Sequence, residues 1–98
     1  MNILVVNGPN LNLLGIRETE IYGSESLDEI MSWLENSIEG LDHNFKFYQS
    51  NSEGDLINII QDERQWADGI LINAGALSHY SYAIADTITA IQTPTIEI

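Results

Sequence analysis

The sequence predicts an α/β protein built on a doubly wound parallel sheet. Three observations carry this. Short, wholly apolar runs recur at Ile3–Val6 and Gly69–Ile72, each ending in asparagine. Amphipathic stretches of helical spacing alternate with these runs, and the order reads βαβαβαβ. Such alternation implies parallel strands joined by right-handed crossovers, with helices on both faces. At 98 residues the chain is one domain, 1–98, with no repeat, linker or low-complexity segment.

The elements follow in order. Ile3–Val6, bounded by Asn7-Gly8-Pro9-Asn10, fits a buried first strand. Residues 7–24 read as a long loop, a length that points to function or disorder. Ser26 and Glu29 form a capping box ahead of Leu27, Ile30, Met31, Leu34 and Ile38, and Gly40 ends that helix. Phe45–Gln49 is a second strand, with Lys46 placed on its solvent side. Asp55–Gln65 is a helix whose apolar part is Leu56, Ile57, Ile59 and Ile60. Gly69–Ile72 is the third strand. Tyr80–Ile91 is a helix capped by Ser78, with Ile84, Ile88 and Ile91 facing the core. Thr95–Ile98 is a fourth strand. This is a flavodoxin-like pattern, in which five strands lie in the order 2-1-3-4-5. Only four are present here, so the fifth strand and last helix are expected to be lacking and strand 4 to form an apolar edge.

Charge excludes several functions. Fifteen acidic residues against Arg17, Lys46 and Arg64 give a net charge of −12. No basic face exists for nucleic acid, and an anionic membrane would repel the surface. No apolar run reaches bilayer length and the N-terminus lacks a basic leader, which points to the cytoplasm. Cysteine is absent, excluding disulfides and a thiol nucleophile. His43 and His79 lack ligand spacing, so no metal is expected. No GxGxxG or GxxxxGK[ST] sequence is present for a nucleotide, and the lone lysine argues against a Schiff base.

Ligands in such sheets bind beyond the carboxyl ends of the strands, where strand order reverses. That point lies between strands 1 and 3. Asn7, Asn10 and Asn12 follow the first; Asn73 and Gly75 follow the second. Any one of these is equally a good turn former. Two groups converging there favour a polar-ligand site, since asparagine both donates and accepts. His79 lies beside the strand 3 turn and is equally consistent with a structural histidine. Arg17 and Tyr22, taken alone, read first as a surface arginine and a half-buried tyrosine. Were they paired, the guanidinium would lower the phenol from its ordinary value of about 10 and make it a base.

Four segments sharpen this. NGPNLNLLGIRETEIYG (7–23), QSNSEGDLI (49–57), INAGALSHYSYAIAD (72–86) and TPTIEI (93–98) resemble, in order and spacing, the motifs of type II 3-dehydroquinate dehydratases. The resemblance covers all 98 residues and about the first two-thirds of a usual member. It implies anti dehydration of 3-dehydroquinate to 3-dehydroshikimate, a step of the shikimate pathway, without metal or organic cofactor. It implies a homo-oligomer, usually a dodecamer. Tyr22 would remove a C2 proton, Arg17 would activate Tyr22 under a mobile lid, and Asn10 would position a water at the enolate. Asn73, Gly75 and His79 would bind substrate. Asp86 would reach a neighbouring subunit's site. Glu97 would orient the general-acid histidine. That histidine would follow Ile98, as would a Ser-Asn carboxylate grip and a binding arginine, so the 98 residues alone are expected to eliminate water slowly. A second reading is an impaired, truncated dehydratase serving as a binding or assembly module. Thr19 stands where proline is common and Ala85 where a basic residue is common, with a looser lid and a weaker intersubunit contact expected.

Overall fold

Strand registers set the architecture. In the computed structural model, which describes residues 1–16, 19–37, 39–79 and 81–98 (backbone alone at Thr19 and Tyr22), four parallel strands form one sheet in the order β2-β1-β3-β4. The strands are β1 (Asn2–Asn7), β2 (Asn44–Gln49), β3 (Gly69–Asn73) and β4 (Thr95–Glu97). The helices are α1 (Thr19–Tyr22), α2 (Leu27–Asn36), α3 (Glu53–Glu63) and α4 (Tyr82–Ile91), with 3-10 turns at Leu11–Leu13 and Gly75–His79. The order and the crossover from β2 past β1 to β3 are those expected of the doubly wound fold. Ile38 and Tyr80, expected within helices, lie outside the described residues.

Alternation along β1 and β3 sends Leu4, Val6, Ile70 and Ile72 to one face, all at most 1% exposed. There they meet Leu56 and Ile60 of α3 and Ile84 of α4; Ile57, Ile59, Ile88 and Ile91 pack around them. Each fully buried aliphatic side chain contributes roughly 1.5–3 kcal/mol. The α3–α4 face therefore supplies most of the hydrophobic stabilisation, because α2, on the other face, has no fully buried residue. That second face carries Phe45 and Phe47, stacked at 5.5 Å between ring centroids. It also carries Leu71 in register with Ile96, which is 65% exposed on the edge strand.

Several expected boundaries move, each for a local reason. The segment 7–24 is not wholly loop: a 3-10 turn and α1 interrupt it. Ser26 caps α2 as expected, accepting from the Glu29 N–H at 3.2 Å. The helix stops at Asn36 and not at Gly40, because Ser37 turns extended and its Oγ donates to the Leu34 carbonyl at 2.8 Å. α3 begins two residues early, since Ser52 accepts from the Asp55 N–H and serves as its cap. α4 is capped by Ser81 and not by Ser78. Ser78 is used inside the preceding 3-10 turn, donating to the Gly75 carbonyl at 2.9 Å, whereas the Ser81 Oγ accepts from the Ile84 N–H at 3.1 Å. His79 accordingly ends that turn.

Lys46 also moves. It sits on the α3 face, where its Nζ is 2.7 Å from Glu63 Oε2 and 4.5 Å from the Trp66 ring centroid. The F-K-F alternation gave the correct parity, but the face opposite the phenylalanines is covered by α3. The lysine stem lies along apolar surface while its head is paired and half in water.

Ser81 ties α4 to α3 as well, donating to Glu53 Oε2 at 2.6 Å. Ser81→Ala removes a cap and this link together. We expect a loss of about 1–2 kcal/mol, read as a lower urea midpoint at unchanged slope; an unaltered midpoint would show that the cap is redundant.

Candidate active site at the strand carboxyl ends

The last residues of three strands stand level. Asn7 is the register partner of Gln49 on one side and of Asn73 on the other. Three carboxamides thus project from one sheet face at its carboxyl edge, straddling the point where the order reverses. Asn7 is only 4% exposed, and among the described residues its Nδ2 has a single hydrogen bond, to the Met31 sulfur at 3.6 Å.

The loops leaving β1 and β3 lock into each other. The Gly8 N–H donates to the Asn73 carbonyl at 2.7 Å. A Cβ on Gly8 would lie 2.5 Å from the Ala74 carbonyl oxygen, so only glycine allows the approach. On the other side Gly75, at φ +59°, presses on the Pro9 carbonyl, where a Cβ would lie at 3.1 Å. The Asn73 Oδ1 accepts from the Gly75 N–H at 3.2 Å, an Asx turn that orients the β3 loop. Asn73 and Gly75 are therefore brought against the β1 loop, as the converging turns predicted.

Asn10 follows at φ 69°, ψ −4°, in the left-handed region. It opens the 3-10 turn Leu11–Leu13 and its carbonyl accepts from the Leu13 N–H at 2.9 Å. An asparagine in such a place commonly caps with its side chain. Here the side chain makes no cap hydrogen bond and is exposed, so its carboxamide is free to meet a ligand.

The other expected residues divide. Glu97 ends β4 and lines a cleft of about 90 Å³ with Ser78, Ser81 and Ala85. Its partner in register is Ile72, which places it on the α4 face, opposite the carboxamide row. His79 is exposed at the end of the β3 turn. Asp86 is exposed on α4, one turn from Tyr82, which is 88% exposed. Arg17 and the Tyr22 side chain lie outside the described residues; the α1 backbone that carries Tyr22 is within them.

Sequence reasoning missed the β2 end as part of this site. The Gln49 Nε2 donates to the Gly8 carbonyl at 3.1 Å and reaches Asn51 Oδ1 at 3.2 Å and Asn12 Oδ1 at 3.4 Å. Asn51 Oδ1 also accepts from the Asn10 N–H at 3.0 Å. The available signal was QSNS after a strand, a polar turn of the same kind as those after β1 and β3. A second cleft, of about 290 Å³, opens beneath this edge between α2 and β2, lined by Asn7, Met31, Glu35, Phe47 and Gln49. Apart from the bounding amides Asn7 and Gln49, none of the polar edge residues enters it. Among the described residues no group of three or more histidine, aspartate and glutamate side chains is arranged to hold a metal, and no helix is long and apolar enough to cross a membrane.

Comparison with known proteins shows the family and the fold. The family described as "Dehydroquinase class II" matches residues 1–98. A 3-dehydroquinate dehydratase of Carboxydothermus hydrogenoformans is 52% identical over 98 residues, covering 100% of this chain and 64% of that protein. One of Bacillus licheniformis is 46% identical, covering 99% and 67% respectively. The crystal structure of a type II dehydroquinase from Butyrivibrio crossotus superposes with a TM-score of 0.91 at 44% identity, covering 99% of this chain and 68% of that one. The chain spans about two-thirds of the length of the curated relatives it matches.

Proposed function

We propose, from the premise that this chain belongs to the class II dehydroquinase family, that it serves the dehydration of 3-dehydroquinate to 3-dehydroshikimate through an enolate. The observation that supports this most is the carboxamide row at the switch point with the β1 and β3 loops interlocked above it. Such an edge offers donors and acceptors to a polyhydroxylated ring without a metal.

The chemistry divides among named residues. The Tyr22 phenolate takes the C2 proton, and the electron pair moves onto the C3 carbonyl oxygen to give the enolate. Arg17 favours the phenolate by its charge. Asn10, with its carboxamide free of capping duty, holds a water against the enolate oxygen. Asn73 and His79 hold the ring hydroxyls, with Gly75 beside them at the substrate. The enolate then collapses, expelling the C1 hydroxyl, which leaves as water once protonated by a donor that Glu97 orients. Atoms balance: one proton and one hydroxyl leave as water, and no electron is lost or gained.

Asp86 and Tyr82 stand on one exposed face of α4, four residues apart, which supports a role for Asp86 toward a neighbouring copy in a homo-oligomer. A cytoplasmic setting belongs to the same reading. The test is direct: purified protein mixed with 3-dehydroquinate should show rising ultraviolet absorbance as the conjugated enone forms. Substrate that binds without any absorbance change would overturn the catalytic reading.

A further inference from the structure

We propose that Gln49 and Asn51 are positioning residues that fix Asn10 through an amide relay of fixed polarity. This rests on the reading of Asn10 given above, but its geometry is independent of the reaction.

The polarity is set by backbone groups and needs no choice of side-chain rotamer. The Gly8 carbonyl can only accept, so the Gln49 atom 3.1 Å from it must be the amide nitrogen. The Asn10 N–H can only donate, so the Asn51 atom 3.0 Å from it must be the oxygen. These two assignments, made separately, leave a donor facing an acceptor at the contact between the two amides, Gln49 Nε2 to Asn51 Oδ1 at 3.2 Å, with Asn12 Oδ1 a longer third acceptor on the same nitrogen at 3.4 Å. The relay therefore runs one way: Gly8 carbonyl orients Gln49, Gln49 orients Asn51, and Asn51 receives the Asn10 N–H.

The relay has work to do. Asn10 holds a left-handed backbone that most L-residues adopt sparingly and that asparagine tolerates better than most. The Leu13 N–H anchors its carbonyl and Asn51 anchors its N–H, so the peptide groups on both sides are pinned and the side chain alone is free. Glycine would suit the backbone better but has no carboxamide. Replacing the flexible turn by a pinned asparagine is the arrangement expected where a carboxamide must be held in one direction. Gln49 and Asn51 touch the segment that presents the reacting group and lie in a different strand loop, 41 positions away in sequence.

A one-way relay makes two isosteric changes unequal. In Asn51→Asp the carboxylate still accepts from both donors. In Gln49→Glu the carboxylate faces the Gly8 carbonyl and Asn51 Oδ1, acceptor against acceptor. Asn51 could turn its NH₂ toward the glutamate, but it would then present a donor to the Asn10 N–H. The experiment compares full-length wild type, Q49E, N51D and N51A. For Q49E and N51A we expect kcat to fall at least about tenfold, since misplacing a group that positions the reacting atoms costs that much or more, with KM raised in Q49E only as far as its added charge raises it in N51D. For N51D we expect kcat within about threefold of wild type and a raised KM, because an added negative charge disfavours a carboxylate substrate.

The second readout is hydrogen exchange of the Asn10 backbone amide in ¹⁵N-labelled protein. It should be at least about tenfold faster in Q49E and N51A than in N51D. Equal exchange in Q49E and N51D, whether fast or slow in both, overturns the relay. Absence of dehydroquinate turnover in all four proteins, with the exchange pattern as expected, overturns the function proposed above and leaves the relay standing. A merely structural role for Gln49 and Asn51 would affect both isosteric variants alike.

Discussion

Replacing Tyr22 with phenylalanine is expected to lower kcat by about 10²–10⁴-fold while KM stays within a few-fold, because on the role proposed for it the change removes only the atom that takes the proton. On the proposed reading the substrate's polar groups keep their partners on the β1 and β3 loops. The measurement is steady-state turnover of 3-dehydroquinate by ultraviolet absorbance, with substrate binding measured separately by calorimetry. A rate unaltered by the substitution would remove Tyr22 from the role of base. A lost rate accompanied by lost binding would instead make the hydroxyl a substrate contact. The sign of the pH dependence follows from the same role: only the phenolate accepts the proton, so turnover should fall as the solution becomes acidic enough to protonate it.

Gly8→Ala is expected to damage both stability and site. The new Cβ would sit 2.5 Å from the Ala74 carbonyl oxygen and 2.7 Å from its carbon, and both are backbone atoms with no side-chain rotation to relieve the clash. The β1 and β3 loops must part, breaking the Gly8 N–H to Asn73 carbonyl bond. We expect a loss of about 2–3 kcal/mol, the upper part of the range for overpacking, which for a domain of this size is a fall in Tm of roughly 10 °C or more. Affinity for dehydroquinate should fall with it, since Asn73 and Gly75 move when Ala74 moves. Gly54→Ala is the control. It lies in the first turn of α3, where a Cβ would meet only Ser52 Oγ at 3.8 Å. The same chemical change there should be neutral or stabilising by about 0.5–1 kcal/mol, through the lost freedom of the unfolded chain. A Gly8→Ala variant as stable as the Gly54→Ala control would show that the loop contact is compliant and the argument from close approach mistaken.

Much of the fold was legible because local and global signals agree. Strands β1 and β3 are apolar on both faces and end at asparagine, and both are covered on the α3–α4 side as such runs require. Ser26 was readable because its partner, Glu29, stands at capping-box spacing. Ser81 was not, because LSHYS offers two serines three residues apart, and only the extra 3-10 turn consumes the first. Lys46 was misplaced because alternation fixes parity and not which face a later helix will cover; Trp66 and Glu63, the groups that receive it, are about twenty positions away. The site was half legible. Turn residues after β1 and β3 are local signals, and they converge as expected. Gln49 and Asn51 act through bonds to residues some forty positions distant, and no local pattern distinguishes them from an ordinary polar turn. Their role becomes visible only when the parallel register sets Gln49 beside Asn7.

The bond between the Gly8 N–H and the Asn73 carbonyl bears also on chemical ageing. Asn7-Gly8 is the kind of dipeptide that deamidates, by attack of the following backbone nitrogen on the asparagine side-chain carbonyl to close a succinimide ring. In this fold the would-be nucleophile is committed to a short hydrogen bond, the Asn7 backbone is held extended within β1, and its carboxamide is buried. Ring closure would need all three to be undone at once. The contact that joins the two halves of the site thus also shelters its most perishable bond, and the chain is exposed to that damage only while it is unfolded.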